Sequence, residues 1–305
     1  MPIRFIKFHG FGNDYIVIES RELAAASLTT TAELGEFARR ICNRHYGAGA
    51  DGIAVVAQAE VAGADFNVRI FNPDGSEASL SGNGTRCAAA YLYYQKLWSG
   101  EELRLSTRAG VKLYVLREAP SPGGNAGRMP VVPAYVFDSE LGKPQFDPAS
   151  IPMIVSGAPQ KVIDYELAVG DQSFSVTALQ MGNPNCCIFV DDFDALDWRR
   201  IGKTIETHQQ FPERTNVVFV RVVNRRTIEL RIWERGVGET EASGTCSCAA
   251  AVAAMIKNET ERAIDVLMPG GSAKICWRGA GDAGEVVITG TAEVIYSGTW
   301  LAAVG

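Results

Sequence analysis

Apolar runs rich in Val, Ile and Phe recur along this chain, separated by stretches whose apolar positions fall every three or four residues. The runs read as strands and the periodic stretches as helices. In the first half this predicts strands over 3–8 and 15–19, a helix over 32–43, strands over 53–57 and 67–71, and a helix over 82–96. In the second half it predicts strands over 174–179 and 186–190, a helix over 198–209, strands over 216–222 and 227–233, and a helix over 244–257. The order of elements is the same in both halves. Between them, Pro120-Ser121-Pro122-Gly123-Gly124-Asn125 is rich in turn formers and predicts a surface loop near a domain boundary.

The likeness of the halves extends to single residues. Nine positions after Arg69-Ile70-Phe71-Asn72 comes Ser81-Gly82, and nine positions after Arg231-Ile232-Trp233-Glu234 comes Ser243-Gly244. The offset is 162 throughout, and Glu77 and Glu239 share it. Each Ser-Gly leads into a Cys-Ala-Ala-Ala run, at 87–90 and 248–251. A looser pair, Gly12-Asn13 and Gly182-Asn183, precedes an apolar run in each half. An ordered series of this kind is the mark of a duplication. It predicts two domains of like shape, one over 1–118 and one over 119–290.

In each copy a strand ends, a polar loop turns, and Ser-Gly opens an Ala-rich helix. The first turn of a helix gathers N–H groups without intrahelical partners and the positive end of the dipole. A substrate carboxylate is favoured there. Gly82 and Asn83 in one copy, and Gly244 and Thr245 in the other, are the backbone positions that would meet it. Ser81 and Ser243 have two readings. Either serine is a natural helix cap, or the two face each other across an inter-domain cleft as reactive groups. Asn72 and Glu234 end their strands at matching places. Asn72 alone reads as an Asx-turn into Pro73-Asp74-Gly75, and Glu234-Arg235 as a surface ion pair. Their register with the serines makes both site candidates.

With 305 residues the chain is long enough for two cores, and its net charge of -6 gives no footprint for nucleic acid. No apolar run is long enough to span a membrane. The opening MPIRFIKFHGFGND has no signal-peptide core and reads as a first strand. Seven cysteines without framework spacing point to a reducing cytoplasm. Three scattered histidines, a lone C-x-C and the adjacent Cys186-Cys187 give no metal site of familiar spacing. Gly47-Ala48-Gly49-Ala50-Asp51-Gly52 has the letters of a dinucleotide fingerprint, but a helix precedes it and a strand follows, the reverse of what that motif requires. No phosphate loop is present and neither serine sits in a G-x-S-x-G elbow. A serine hydrolase would need a distant partner such as His45 or His208.

These residues resemble the diaminopimelate epimerase family over nearly the whole chain. Phe8-His9-Gly10-Phe11-Gly12-Asn13-Asp14 is similar to its opening motif. Gly49-Ala50-Asp51-Gly52, Asn72-Pro73-Asp74-Gly75-Ser76-Glu77, Gly82-Asn83-Gly84-Thr85-Arg86-Cys87, Gly182-Asn183-Pro184, Thr215-Asn216 and Glu234-Arg235-Gly236-Val237-Gly238-Glu239-Thr240 follow in family order. The resemblance implies an α/β (α+β) fold of two pseudo-symmetric domains. Each is a mixed or antiparallel sheet wrapped around a central helix, with a last strand near 291–297 returning to the first domain, so that 291–305 complete it. It implies interconversion of LL- and meso-diaminopimelate, in lysine and peptidoglycan precursor synthesis, or of a related small carboxylate. No cofactor or metal is implied, and the partner is a small amino-acid or dicarboxylate substrate, with a homodimer in prospect. Carried over by motif, Asn13, Asn72, Asn183, Asn216 and Arg235 would hold the substrate. The backbone of Gly82, Asn83, Gly244 and Thr245 would hold the reacting carboxylate.

The family uses two cysteines as base and acid, and both positions are serine here, Ser81 and Ser243. Asn185 stands where the family usually has His, Gly52 where it usually has Gln, and Cys246 where it usually has Gly. An alcohol ionises roughly 7 units above a thiol, about 10 kcal/mol, whereas a helix terminus recovers only about 0.3–2 kcal/mol. Glu234 is the residue placed to activate one serine. The departures leave room for a dehydratase or double-bond isomerase, or for a carboxylate-binding protein without turnover.

Overall fold

The first apolar run folds as β1 (Ile3–Gly10) and turns through Phe11 and Gly12 into β2 (Asn13–Glu19). Both turn residues have positive φ, 55° and 81°, as a two-residue hairpin of matching twist requires. The structure is a computed structural model and describes residues 1–120, 133–157, 159–279 and 281–301. The expected loop lies outside the described residues from Ser121 onward.

After β2 come α1 (Ser20–Ala25) and α2 (Thr31–Ile41), then β3 (Gly52–Gln58) parallel to β2. A capping box between Thr30 and Glu33 opens α2. β4 (Phe66–Phe71) runs antiparallel to β3, and β5 (Glu77–Ala78) folds back on β4. α3 (Gly82–Tyr94) follows, then β6 (Glu102–Thr107) parallel to β4, with β7 (Gly110–Glu118) and β8 (Ala134–Gly142) continuing antiparallel.

The second half repeats the plan. β9 (Tyr165–Val169) and β10 (Gln172–Gln180) pair antiparallel, and β10 turns into β11 (Pro184–Phe189). α4 (Trp198–Glu206) leads to β12 (Asn216–Asn224), parallel to β11. β13 (Thr227–Glu234), β14 (Gly238–Thr240), α5 (Gly244–Ile256), β15 (Ala263–Met268) and β16 (Gly271–Trp277) then reproduce the pairings of β4 to β7. In β17 (Val286–Trp300), Val286–Thr289 pair with β16, and the later residues pair with β1.

The chain divides into one unit of residues 1–139 with 290–305 and another of 140–289. The first division falls beyond position 118, within β8, because Val136–Ser139 of that strand pair with β7. Each unit has an Ala-rich helix at its centre. Residues 83–92 of α3 and 246–255 of α5 are all buried. A helix apolar on every side has no solvent face to offer, and small side chains let the strands pack closely round it. In the first unit Phe8, Val17, Ala54, Val68 and Leu105 close on Ala88–Ala90. The expected α/β architecture is thus the observed one. Among the described residues no helix is long and apolar enough to cross a membrane.

Candidate active site

In the first unit Ser81 caps α3, its Oγ accepting from Gly84 N at 3.0 Å. The same oxygen lies 2.9 Å from Tyr15 OH. Burial raises the Tyr15 phenol above its usual range, and the Ser81 hydrogen bond partly opposes that. Asn13, at the start of β2, donates through Nδ2 to Asp51 Oδ2 (2.8 Å) and accepts from Asn83 Nδ2 (3.3 Å). Arg86 Nη1 in turn donates to Asn83 Oδ1 (2.9 Å).

Behind Asn13 lies an ion network. Lys7 Nζ stands 2.7 Å from Asp14 Oδ2, and Arg44 grips Asp14 through both Nη atoms while also reaching Asp51 at 2.7 Å. Burial pushes Asp14 up, but hydrogen bonds from Arg44 and Lys7 outweigh it and leave the carboxyl at about 2. Asn72 is engaged in its own turn: Nδ2 donates to Ser76 Oγ and Gly75 N donates to Asn72 O, each at 2.9 Å.

In the second unit Ser243 does not cap its helix. Its Oγ donates instead to Glu234 Oε2 at 3.0 Å, while Thr240 Oγ1 donates to Glu234 Oε1 at 2.8 Å. The cap reading thus fits Ser81 and fails for Ser243, because a carboxylate at the end of β13 is the stronger acceptor. Burial raises Glu234 above the ordinary carboxyl range, against the hydrogen bonds from Thr240 and Ser243. Cys246 is buried, and burial with the nearby Glu234 pushes its thiol well up.

Asn183, Asn216 and Arg235 belong to one hydrogen-bond chain. Asn185 Nδ2 donates to Asn183 O (2.7 Å) and Oδ1 (3.1 Å), Asn216 Nδ2 donates to Asn185 Oδ1 (3.2 Å), and Arg235 N donates to Asn216 Oδ1 (2.8 Å). Buried Glu206 holds the turn after β13, accepting from Gly236 N and Trp233 Nε1 at 2.8 Å each. Glu77 and Glu239, matched in the repeat, make structural ion pairs with Arg69 and Arg199.

The units agree even where their sequences differ. Residues 11–20 and 181–190 show the same burial, position for position. Asn13 thereby corresponds to Asn183 and Tyr15 to Asn185. Tyr15 pairs with Gly52 across two parallel strands as Asn185 pairs with Asn216. Gly52 and Asn185, two departures from the family pattern, stand in equivalent strand pairs. Sequence reading passed over Tyr15, Asp51 and Thr240. For Tyr15 the available signal was its place two residues after Asn13, on the same face of β2.

Among the described residues no three of His, Cys, Asp and Glu are grouped to hold a metal ion. Solved structures share the fold. A phenazine biosynthesis protein of the PhzF family from Bacillus anthracis superposes with a TM-score of 0.68 at 18% identity, covering 99% of this chain and 100% of its own. A hydroxyproline epimerase from Agrobacterium vitis does so with a TM-score of 0.65 at 13% identity, covering 98% and 91%. Fold and sequence relatives together place the chain in the epimerase and racemase class of isomerases.

The diaminopimelate epimerase profile matches residues 5–121 and 177–295, one stretch around each serine. Diaminopimelate epimerases of Pelotomaculum thermopropionicum and Desulforudis audaxviator are 37% and 38% identical over 298 and 301 residues. The alignments cover 98% and 99% of this chain and 99% and 100% of those proteins. This chain belongs to the diaminopimelate epimerase family.

Proposed function

We propose that the protein is a cofactor-independent isomerase that moves the hydrogen on the carbon α to a carboxylate, acting on diaminopimelate or a closely related amino dicarboxylate. The place of such an activity is the route to lysine and peptidoglycan precursors, in the cytoplasm. Backbone N–H groups at Gly82, Asn83, Gly244 and Thr245 take the reacting carboxylate, and Asn13, Asn72, Asn183, Asn216 and Arg235 hold the distal end.

The observation that carries this reading is the 3.0 Å hydrogen bond from Ser243 Oγ to Glu234 Oε2. A serine is a poor base by itself, and a partly buried carboxylate on its hydroxyl is the partner it needs. Ser243 with Glu234 removes the α-hydrogen, Ser81 returns one, and the roles exchange when that carbon has the opposite configuration. An alcohol is a far weaker acid than the thiol the family uses, so turnover is slower than with thiols.

The test is incubation in deuterated water with LL- or meso-diaminopimelate, followed by proton NMR. Loss of the α-proton signal with appearance of the other stereoisomer supports the reading, and intact signals reject it. The replacement of both thiols by alcohols favours one second reading, a carboxylate-binding protein without turnover. Calorimetry that finds tight binding in the absence of exchange selects it.

A further inference from the structure

Tyr15 is absent from the family motifs that assign the site, yet its hydroxyl meets Ser81 Oγ at 2.9 Å. The geometry is tightly held. Tyr15 pairs with Gly52 across β2 and β3, and a Cβ on Gly52 would stand 2.6 Å from Tyr15 Cε1. A Cβ on Gly84, in the first turn of α3, would stand 2.8 Å from the same atom. Two glycines therefore make the slot in which the ring lies. At the equivalent place in the second unit Asn185 turns to Asn183, and Ser243 is left to Glu234. The first unit brings a phenol to its serine where the second brings a carboxylate.

Ser81 Oγ already accepts the Gly84 N–H. We infer that Tyr15 is a positioning residue for proton transfer at Ser81, donating its phenolic hydrogen to Ser81 Oγ so that the serine's own hydrogen is presented to the substrate. This rests on the α-proton transfer proposed above. When Ser81 gives its proton to the carbanion, a C–H bond forms and the serine O–H bond breaks. The phenolic proton then moves onto Ser81 Oγ, the charge rests on the phenolate, and a proton from solvent restores the phenol. In water a phenol ionises at roughly 10 against roughly 15.7 for an alcohol; burial raises Tyr15 above its usual range but penalises a buried alkoxide in the same way, so the pair still escapes a free alkoxide. The groups that bear on the phenol are Asp51 ahead of β3, Cys87 on α3 and Cys42 after α2, and all three oppose a lasting phenolate. The phenolate is therefore a transient.

Tyr15→Phe tests this, because it keeps the ring over Gly52 and Gly84 and removes the hydroxyl alone. One readout needs no turnover. In a Ser81→Cys background the introduced thiol is alkylated with iodoacetamide from about pH 6 to about pH 10 and followed by peptide mass spectrometry. A phenol donating to position 81 stabilises the thiolate, so adding Tyr15→Phe slows alkylation at pH 7 about tenfold and moves the midpoint up by about one pH unit. Superimposable profiles overturn the inference. The second readout is α-deuterium exchange, where Tyr15→Phe in the otherwise unaltered protein lowers kcat about 100-fold with KM held within a factor of about two. An unchanged kcat, or a loss confined to KM, also overturns it. Should the unaltered protein exchange no α-hydrogen, the proposed function falls and the alkylation profile alone decides for or against Tyr15.

Discussion

Asn216 Nδ2 donates to Asn185 Oδ1 at 3.2 Å, and this bond fixes which way both amides point. The Asn216 carbonyl oxygen is taken by Arg235 N, and that of Asn183 by Asn185 Nδ2. The side-chain carbonyl ends thus face protein donors, and among the described residues the Asn183 side-chain N–H groups make no hydrogen bond and are the ones left for a ligand. That polarity suits an anion. Asn185→Leu keeps the volume and removes the link, leaving buried amide groups unmatched at a cost of about 1–3 kcal/mol each. Calorimetric affinity for meso-diaminopimelate should fall about tenfold or more. An unchanged affinity would remove Asn185 from the account.

The Ser243–Glu234 pair sets an acid limit on turnover. Burial raises the Glu234 carboxyl, so it ionises only above the ordinary value of 4.5. The acceptor for the Ser243 proton is the ionised form. The exchange rate should therefore rise with pH through a midpoint above 4.5 and then level off. Glu234→Gln should abolish that limb and lower exchange by about 100-fold or more. A pH profile identical in the variant contradicts the pairing.

Asp14 predicts a separate dependence, on stability. Its folded pKa of about 2 lies below the ordinary 3.8, so its ionised form stabilises the fold. The contribution is fully present above about pH 4 and is lost as pH falls toward about 2. Asp14→Asn leaves Lys7 and Arg44 without their shared carboxylate and should cost about 2–4 kcal/mol at pH 7. Urea denaturation curves of the two proteins should converge as pH approaches about 2. A constant difference across that range would show that the loss is one of packing.

Much of this was legible before any coordinates. Ile3–Gly10, Phe66–Phe71 and the two Ala-rich helices carry apolar patterns that admit few alternatives, and the repeat of Ser81 and Ser243 placed both at helix starts. The strands passed over, such as Glu102–Thr107 and Ala263–Met268, alternate exposed and buried residues and carry no aromatic residue to mark them. The site was harder. Ser81 and Ser243 look alike in sequence and behave differently, because a Tyr or a Glu reaches them from another strand. Gly52 read as a bare departure until its pairing with Tyr15 gave it a reason. Contacts of that sort depend on register across a sheet, which a linear pattern does not contain.

The central claim is that this is the family's site with its proton carriers exchanged for hydroxyls. Ser81→Cys combined with Ser243→Cys, assayed by α-deuterium incorporation into LL- and meso-diaminopimelate, addresses it most directly. The account predicts an increase in exchange and epimerisation of about 100-fold or more over the unaltered protein, with substrate affinity little changed. A folded double variant that binds the substrate and exchanges no faster would contradict it.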